Sequence, residues 1–348
     1  MSAAAANPWI SPRTGPYFIA EAGVNHNGDP ELAIRLVEAA AAAGADAVKF
    51  QAFSAAALVT DDCPKAEYQV ANDGREESQR AMLERLELDA AAFARLKSAC
   101  ERHGVDFLCS AFDEESVDLL VRLAVKGIKF GSGELTNLPL IRHAAASGPP
   151  LILSTGMASM EEVQQAYTAA SRQGVPRPAL LQCTSQYPTP YEHCNLRAMG
   201  ALRDAFPTTV GFSDHSEGWH VTTAATALGA EILEKHFTLD RALPGPDHAA
   251  SLEPAELRTC VRQCREIAAA LGDARKHRSP VEEDTARVAR KSLVLCRDLS
   301  AGTELTAADL AARRPGTGIS PARMEDFIGR RLRRAVPAGT MLAWELIE

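Results

Sequence analysis

Eight short runs of strand-like composition recur along the chain, each followed by a stretch with helical periodicity. This alternation limits the possible folds more than any other feature. The runs are Tyr17–Gly23, Asp46–Gln51, Asp106–Phe112, Gly127–Glu134, Pro150–Gly156, Ala179–Ser185, Thr209–His215 and Glu231–Phe237. Between them lie segments such as ELAIRLVEAAAAAG and DAAAFARLKSACERHG, in which apolar residues return at helical spacing. Several of these segments close on a glycine (Gly44, Gly104, Gly174, Gly229), as helix C-termini commonly do. Strand and helix in strict alternation give a parallel sheet with helical crossovers, and eight such units predict a closed (β/α)8 TIM barrel. An open doubly wound sheet is the rival, but it generally has fewer strands. No Gly-x-Gly-x-x-Gly follows the first run here.

The barrel pattern ends near residue 275, in a chain of 348 residues. Residues 276–290 are charged, contain a proline and read as a linker. Residues 291–348 change character and carry an internal echo, KSLVLCRDLSAGTEL beside RRLRRAVPAGTML, which predicts a small β-rich domain of two similar units. Charge divides in the same way. The chain has a net charge of −8, whereas 291–348 holds 9 Lys/Arg against 7 Asp/Glu. An acidic chain argues against nucleic acid as partner. No apolar run reaches membrane-spanning length, and MSAAAANPWISPR lacks the basic and apolar regions of a signal peptide, so a cytoplasmic protein is expected. The eight cysteines show no Cys-x-x-Cys spacing and read as reduced packing residues.

In a barrel of this kind the site forms at the C-terminal ends of the strands. Those ends are polar here: Glu21; Lys49 and Gln51; Ser110; Lys129, Ser132 and Glu134; Ser154; Ser185 and Tyr187; Ser213, Asp214 and His215; Glu234, Lys235 and His236. Buried parallel strands should be almost wholly aliphatic, and lysine or glutamate there carries a desolvation cost unless paired. Solvated loop positions explain any one of these residues but not all of them together. His215 and His236 end consecutive strands and suit a divalent transition metal. The lysines and serines suit an anion carrying phosphate and carboxylate. Glu21 and Glu134 suit proton transfer. A lysine Schiff-base aldolase using Lys49 or Lys129 is the second reading, and the paired histidines count against it. A non-enzymatic scaffold is the third, and the charged strand ends count against it.

At these residues the sequence resembles the sialic acid synthase family. The matching stretches are IAEAGVNHNGD (19–29), GADAVKFQ (44–51), KFGSGELTNLPLI (129–141), LSTGM (153–157) and CTSQYPTPYE (183–192). GFSDHS (211–216), LEKHFTLDRALPGPDHAASLEP (233–254) and RRPGTGISP (313–321) continue the match almost to the end. The resemblance implies a TIM barrel followed by a small SAF, or antifreeze-like, domain. It also implies a reaction: C3 of phosphoenolpyruvate attacks the aldehyde of an open-chain N-acetylhexosamine, water adds at C2, and phosphate leaves by C–O cleavage.

By the same resemblance, His215 and His236 ligate a divalent metal, Mn or Mg. Lys49, Lys129, Ser110, Ser132, Ser185 and Ser213 hold phosphoenolpyruvate. Glu21 and Glu134 orient the sugar or water and handle protons, while Gln51, Tyr187 and Asp247 bind sugar hydroxyls. Arg314 reaches the N-acetyl group in the barrel of a second subunit, which implies a domain-swapped homodimer. Two positions depart from the commonest pattern, CSAFD at the third strand and Ser185, and both keep a hydroxyl. N-acetylmannosamine is the first expectation for the acceptor, giving N-acetylneuraminate. A 2,4-diacetamido-trideoxyhexose, giving legionaminate or pseudaminate, is the alternative, and a phosphorylated sugar is a further one.

Overall fold

The computed structural model describes residues 15–66, 69–70, 77–171 and 176–348. The chain divides into two compact units, Met1–Gly272 and Asp273–Glu348. In the first, β1 (Tyr17–Gly23), β2 (Ala47–Ala52), β3 (Asp106–Ala111), β4 (Ile128–Phe130), β5 (Leu151–Ser154), β6 (Ala179–Gln182), β7 (Val210–Asp214) and β8 (Ile232–His236) close a barrel in chain order. Every neighbouring pair is parallel, and β8 returns to β1. The eight-stranded barrel expected from the alternation is the one observed.

Helices cover the outside. α1 (Pro30–Ala43) buries Leu32, Ala33, Leu36, Val37 and Ala40 on one stripe, the spacing that its sequence carries. Its start is fixed by Asp29, whose carboxylate accepts the Glu31 amide at 2.8 Å, and its end by Gly44 in the left-handed conformation. After a single helical turn at Ala55–Leu58, the helices α2 (Gln79–Leu86) and α3 (Ala90–His103) lie between β2 and β3. Asp89 and Gly104 cap α3 in the same way as α1. Gly174 falls outside the described residues.

Side-chain alternation along the strands sorts the barrel. Tyr17, Ile19, Ala47, Leu108, Ile152, Ala179, Leu181 and Ile232 pack together in its interior. The alternate residues, among them Phe18, Val48, Phe50, Phe130, Phe212 and Leu233, join the larger core between strands and helices. Whatever follows the interior set at two-residue steps must therefore face the mouth of the barrel.

The fourth run is shorter than its sequence suggests. β4 ends at Phe130, and Ser132–Glu134 forms a 3-10 turn whose Glu134 amide bonds back to the Gly131 carbonyl at 3.0 Å. Gly131, Ser132 and Gly133 offer no branched side chains to extend the pleat.

In the second unit, β9 (Ser292–Leu295) and β10 (Leu310–Arg313) pair antiparallel over a core that includes Leu293, Leu299, Phe327, Val336 and Leu346. The internal echo is structural. Leu299 and Val336 hold equivalent places in the two copies, two residues before Ala-Gly-Thr, and exchange reciprocal amide–carbonyl bonds of 3.0 and 2.9 Å. Likewise the Gly302 amide donates to Leu332 and the Gly339 amide to Leu295. The two copies thus pair with each other about a local pseudo-two-fold axis. The stretch read as a linker contains a helix, α4 (Glu283–Ala289), within this unit. A reciprocal cap between Ser279 and Glu282 precedes it. Its only large apolar side chains nearby, Val281 and Val288, are exposed, so no apolar stripe announced it.

Candidate active site

A cavity of about 450 Å³ opens at the C-terminal ends of the strands. Its wall includes Glu21 from β1, Lys49 and Gln51 from β2, Ser110 from β3 and Lys129 from β4. Ser132, Ser154, Ser185 and Tyr187 follow from the next ends and loops. Ser213, His215, Glu234 and His236 complete the ring from β7 and β8, with Asp247 from the loop beyond. These residues continue the interior-facing alternation. Asp214 and Lys235 have the opposite parity: they pair at 3.1 Å and bond to Thr222 and Ser216, away from the cavity wall.

The charges interlock. Lys49 contacts the Glu21 carboxylate and the Ser110 hydroxyl, the latter at 3.0 Å. Lys129 lies 3.4 Å from Glu234, which also accepts from Ser213 Oγ at 2.9 Å and stands 3.9 Å from Lys49. Two lysines and two glutamates are thus buried together. Burial pushes Glu21 up to about 7, against Lys49 and with the help of the Glu234 charge. Burial works upward on Glu234 too, but Lys129 and Lys49 outweigh it and hold that carboxyl down at about 2. Lys49 lies above its ordinary range because Glu21 and Glu234 overcome its burial, whereas burial takes Lys129 below its range. With Glu21 partly protonated near neutrality, the cluster carries surplus positive charge in a low-dielectric site and suits a bound anion.

Glycines let these groups converge. A Cβ on Gly23 would stand 3.1 Å from Glu21 Oε1, 3.3 Å from Gln51 Nε2 and 3.7 Å from Asp247 Oδ2, so those three polar atoms surround one bare backbone position. Gln51 Nε2 donates to Glu21 Oε1 at 3.2 Å. Burial raises Asp247 to about 6. At Gly156 a Cβ would meet Ser185 Oγ at 2.4 Å, Ser132 Oγ at 2.7 Å and Cys183 Sγ at 3.0 Å. The Gly156 amide donates to Ser132 Oγ at 3.0 Å, and Ser154 Oγ is buried without a hydrogen-bond partner among the described residues. A cradle of hydroxyls beside two lysines suits phosphate oxygens.

The two histidines fit a divalent cation. His215 Nδ1 donates to the Thr184 carbonyl at 2.8 Å, which leaves its Nε2 as a free lone pair. His236 Nδ1 is buried with no hydrogen-bond partner among the described residues. Burial takes His215 down to about 4 and His236 well below its ordinary value, so both imidazoles are neutral ligands. Their ring centres are 5.5 Å apart, and Tyr187 packs on both, at 4.2 and 5.7 Å. Among the described residues no cluster of three or more His, Cys, Asp or Glu forms a complete ligand set. The remaining positions around such a cation would go to water and substrate, as in an open catalytic site.

Two expected residues stand apart. Glu134 sits on the 3-10 turn, half-buried and held by Asn137 Nδ2 at 2.8 Å, and is not part of the cavity wall. Burial raises its carboxyl. Arg314 belongs to the second unit, where it is exposed and its Nε donates to the Ala289 carbonyl at 3.0 Å. The sequence reading assigned Glu234 no role, yet it organises both lysines. It lies two residues before His236, and alternation from that histidine would have found it. It also missed the wall formed by Gln69, Gln79, Met82, Leu83 and Leu86, which come from the excursion between β2 and β3.

A closed parallel barrel with buried lysines, a carboxylate near neutrality and paired neutral imidazoles in one cavity defines a TIM-barrel protein whose site suits an anion beside a divalent cation. Comparison with known proteins carries this further. The NeuB family model matches residues 36–276, and the SAF domain model matches 290–348. The chain is 46% identical over 315 residues to N,N'-diacetyllegionaminic acid synthase of Campylobacter jejuni, covering 90% of this chain and 94% of that protein. It is 45% identical over 336 residues to the Legionella pneumophila protein of the same name, covering 95% and 94%. N-acetylneuraminate-9-phosphate synthase of Mus musculus is 36% identical over 305 residues, covering 86% and 83%. Among solved structures, the N-acetylneuraminic acid synthetase of Leptospira borgpetersenii superposes with a TM-score of 0.69 at 33% identity, covering 78% of this chain and 90% of that one. The chain belongs to the NeuB family, and its C-terminal unit is a SAF domain. It is a phosphoenolpyruvate-dependent nonulosonic acid synthase, a transferase.

Proposed function

We propose that the chain condenses phosphoenolpyruvate with a 2,4-diacetamido-2,4,6-trideoxyhexose to give N,N'-diacetyllegionaminic acid and phosphate. The observation that carries this reading is the near full-length identity of 45–46% to two proteins of that activity, against 36% to a synthase of the N-acetylneuraminate type. The sequence alone put N-acetylmannosamine first, so the comparison favours the alternative acceptor.

In this reading Lys49 and Lys129 hold the carboxylate and phosphate of phosphoenolpyruvate, with the hydroxyls of Ser110, Ser132, Ser154, Ser185 and Ser213 around them. Glu234 stays ionised and keeps both lysines in place. Gln51, Asp247 and Tyr187 take the sugar hydroxyls. A divalent cation, Mn or Mg, held by His215 and His236, supplies Lewis-acid polarisation when bound. C3 of phosphoenolpyruvate bonds to the aldehyde carbon, water adds at C2, and phosphate departs with the C2–O bond. Glu21, titrating near neutrality, takes one proton from that water and passes it to the former aldehyde oxygen, which becomes a hydroxyl. The second water proton leaves the C2 hydroxyl with the phosphate as the 2-keto group forms. Glu134 assists at the rim and Arg314 acts on the acetamido group in a second copy of the chain, as a homodimer.

The test is phosphate release from phosphoenolpyruvate with Mn, run in parallel on the diacetamido-trideoxyhexose and N-acetylmannosamine. Higher kcat/KM for the diacetamido sugar is expected. Preference for N-acetylmannosamine overturns the assignment of acceptor, and silence with both moves it to another N-acetylhexosamine, such as a phosphorylated one.

A further inference from the structure

The cavity is chemically two-sided, and the mechanism uses only one side. The lysines, glutamates, imidazoles and most of the hydroxyls come from the strand ends. The other side is apolar. It is formed by Val24, which follows β1, by Met82, Leu83 and Leu86 on α2, and by Phe112, which follows β3. Met82 is fully buried and Leu86 is 2% exposed. Both belong to a small core with Val24 and Phe53, against which Leu83 and Phe112 pack. This wall is therefore a fixed surface and not a loop that can fold away from a ligand. At its edge lie two amide side chains, Gln69 and Gln79, with Gln79 Nε2 donating to Gln69 Oε1 at 3.4 Å.

Phosphoenolpyruvate carries charge on two of its three substituents and only one small CH2 group, and water has no apolar part, so neither needs a wall of this extent. The acceptor sugar does. Its aldehyde carbon has to meet C3 of phosphoenolpyruvate at the charged side, so its C4–C6 end projects away from the lysines. We infer that the α2 wall, centred on Leu83 and backed by the buried Met82, is the specificity surface for the C4 and C6 substituents of the acceptor, and that it selects a methyl and an acetamido group over two hydroxyls. This inference rests on the acceptor proposed above. A deoxy C6 presents a methyl, and the acetamido group at C4 presents another methyl beside an amide that matches Gln69 and Gln79. A sugar with hydroxyls at both positions would bury them against Val24, Leu83 and Phe112, none of which has a side-chain hydrogen-bonding group.

Leu83 suits a test because it lines the cavity while remaining partly exposed. The full-length enzyme, its Leu83→Gln and Leu83→Ala variants and the conservative Leu83→Met are compared with Mn as the cation. For each, kcat/KM is measured for the diacetamido-trideoxyhexose and for N-acetylmannosamine, together with the KM for phosphoenolpyruvate. Loss of a methyl-sized apolar contact is worth about tenfold in discrimination. The ratio of the two kcat/KM values should fall by about tenfold in Leu83→Gln and by several-fold in Leu83→Ala, with Leu83→Met close to wild type. The KM for phosphoenolpyruvate should stay within about twofold, since the wall does not touch that substrate. If the wild type prefers the diacetamido sugar and both variants keep its ratio, or lose both sugars alike, the wall is overturned and the proposed reaction stands. If the wild type prefers N-acetylmannosamine, the acceptor assignment falls and this inference with it.

Discussion

Asp247 shows how one buried carboxyl links chemistry to stability. Burial holds it at about 6, so the folded chain binds this proton more tightly than the unfolded chain. The stability it contributes is present below its ordinary value and is lost as pH rises to about 6. Asp247→Asn keeps a neutral group at every pH. The stability of the variant relative to wild type should therefore rise between about pH 4 and pH 6 and level off above it. Urea denaturation across that range measures it, and a difference that stays constant with pH would mean that the carboxyl is solvated. Glu234 is the opposite case, since two lysines hold it ionised and its work is to hold them. Adjacent residues divide in the same way: Glu234 and His236 face the cavity, while Lys235 turns outward to Asp214.

At the scale of the element, two glycines separate building the barrel from building the site. A Cβ on Gly211, in β7, would stand 2.2 Å from the carbonyl oxygen of Ile232 in β8, a backbone atom that cannot rotate away. Gly211→Ala should cost about 1–3 kcal/mol of stability, read as a lower denaturation midpoint. The nearest atoms around Gly156 are instead the ends of Ser185, Ser132 and Cys183. Gly156→Ala should leave the midpoint nearly unchanged and raise the KM for phosphoenolpyruvate, because the hydroxyl cradle has to open. If the effects of the two substitutions were exchanged, the cradle would be structural. The strands themselves follow from their residues, Leu, Ile, Val, Ala and Phe where packed and polar chiefly toward their C-terminal ends.

For the whole molecule, the prediction concerns what each unit supplies. The barrel unit carries the lysine–glutamate cluster and the imidazole pair, and the SAF unit carries Arg314 on its surface. If Arg314 serves a second copy, an inactive Arg314→Ala chain titrated with an inactive Glu134→Ala chain should recover part of the activity, because each mixed dimer contains one intact site. Absence of recovery at every ratio would place both residues in the same chain's site. The SAF unit is itself built from two related segments that pair through Leu299 and Val336, which accounts for a stable core in a stretch of so few residues.

Local patterning along the chain is enough to specify the barrel, the position of its mouth and most of its chemistry. Two-residue alternation fixes which side chains face inward, and polar groups of that parity at the end of a strand meet in the cavity, while those of the other parity, Asp214 and Lys235, pair outside it. The same rule reached Lys49, Gln51, Lys129, Ser213, His215 and His236 without any structure. Tertiary structure decided what alternation does not encode. Glu134 leaves the wall because a run of Gly, Ser and Gly turns the chain before the strand would have carried it there. The apolar wall of α2 was invisible because Met82, Leu83 and Leu86 follow ordinary helical spacing. Only packing against Val24, Phe53 and Phe112 turns that helix toward the cavity. Contacts between residues distant in sequence set such placements, whereas strand periodicity is local and can be read from the chain alone.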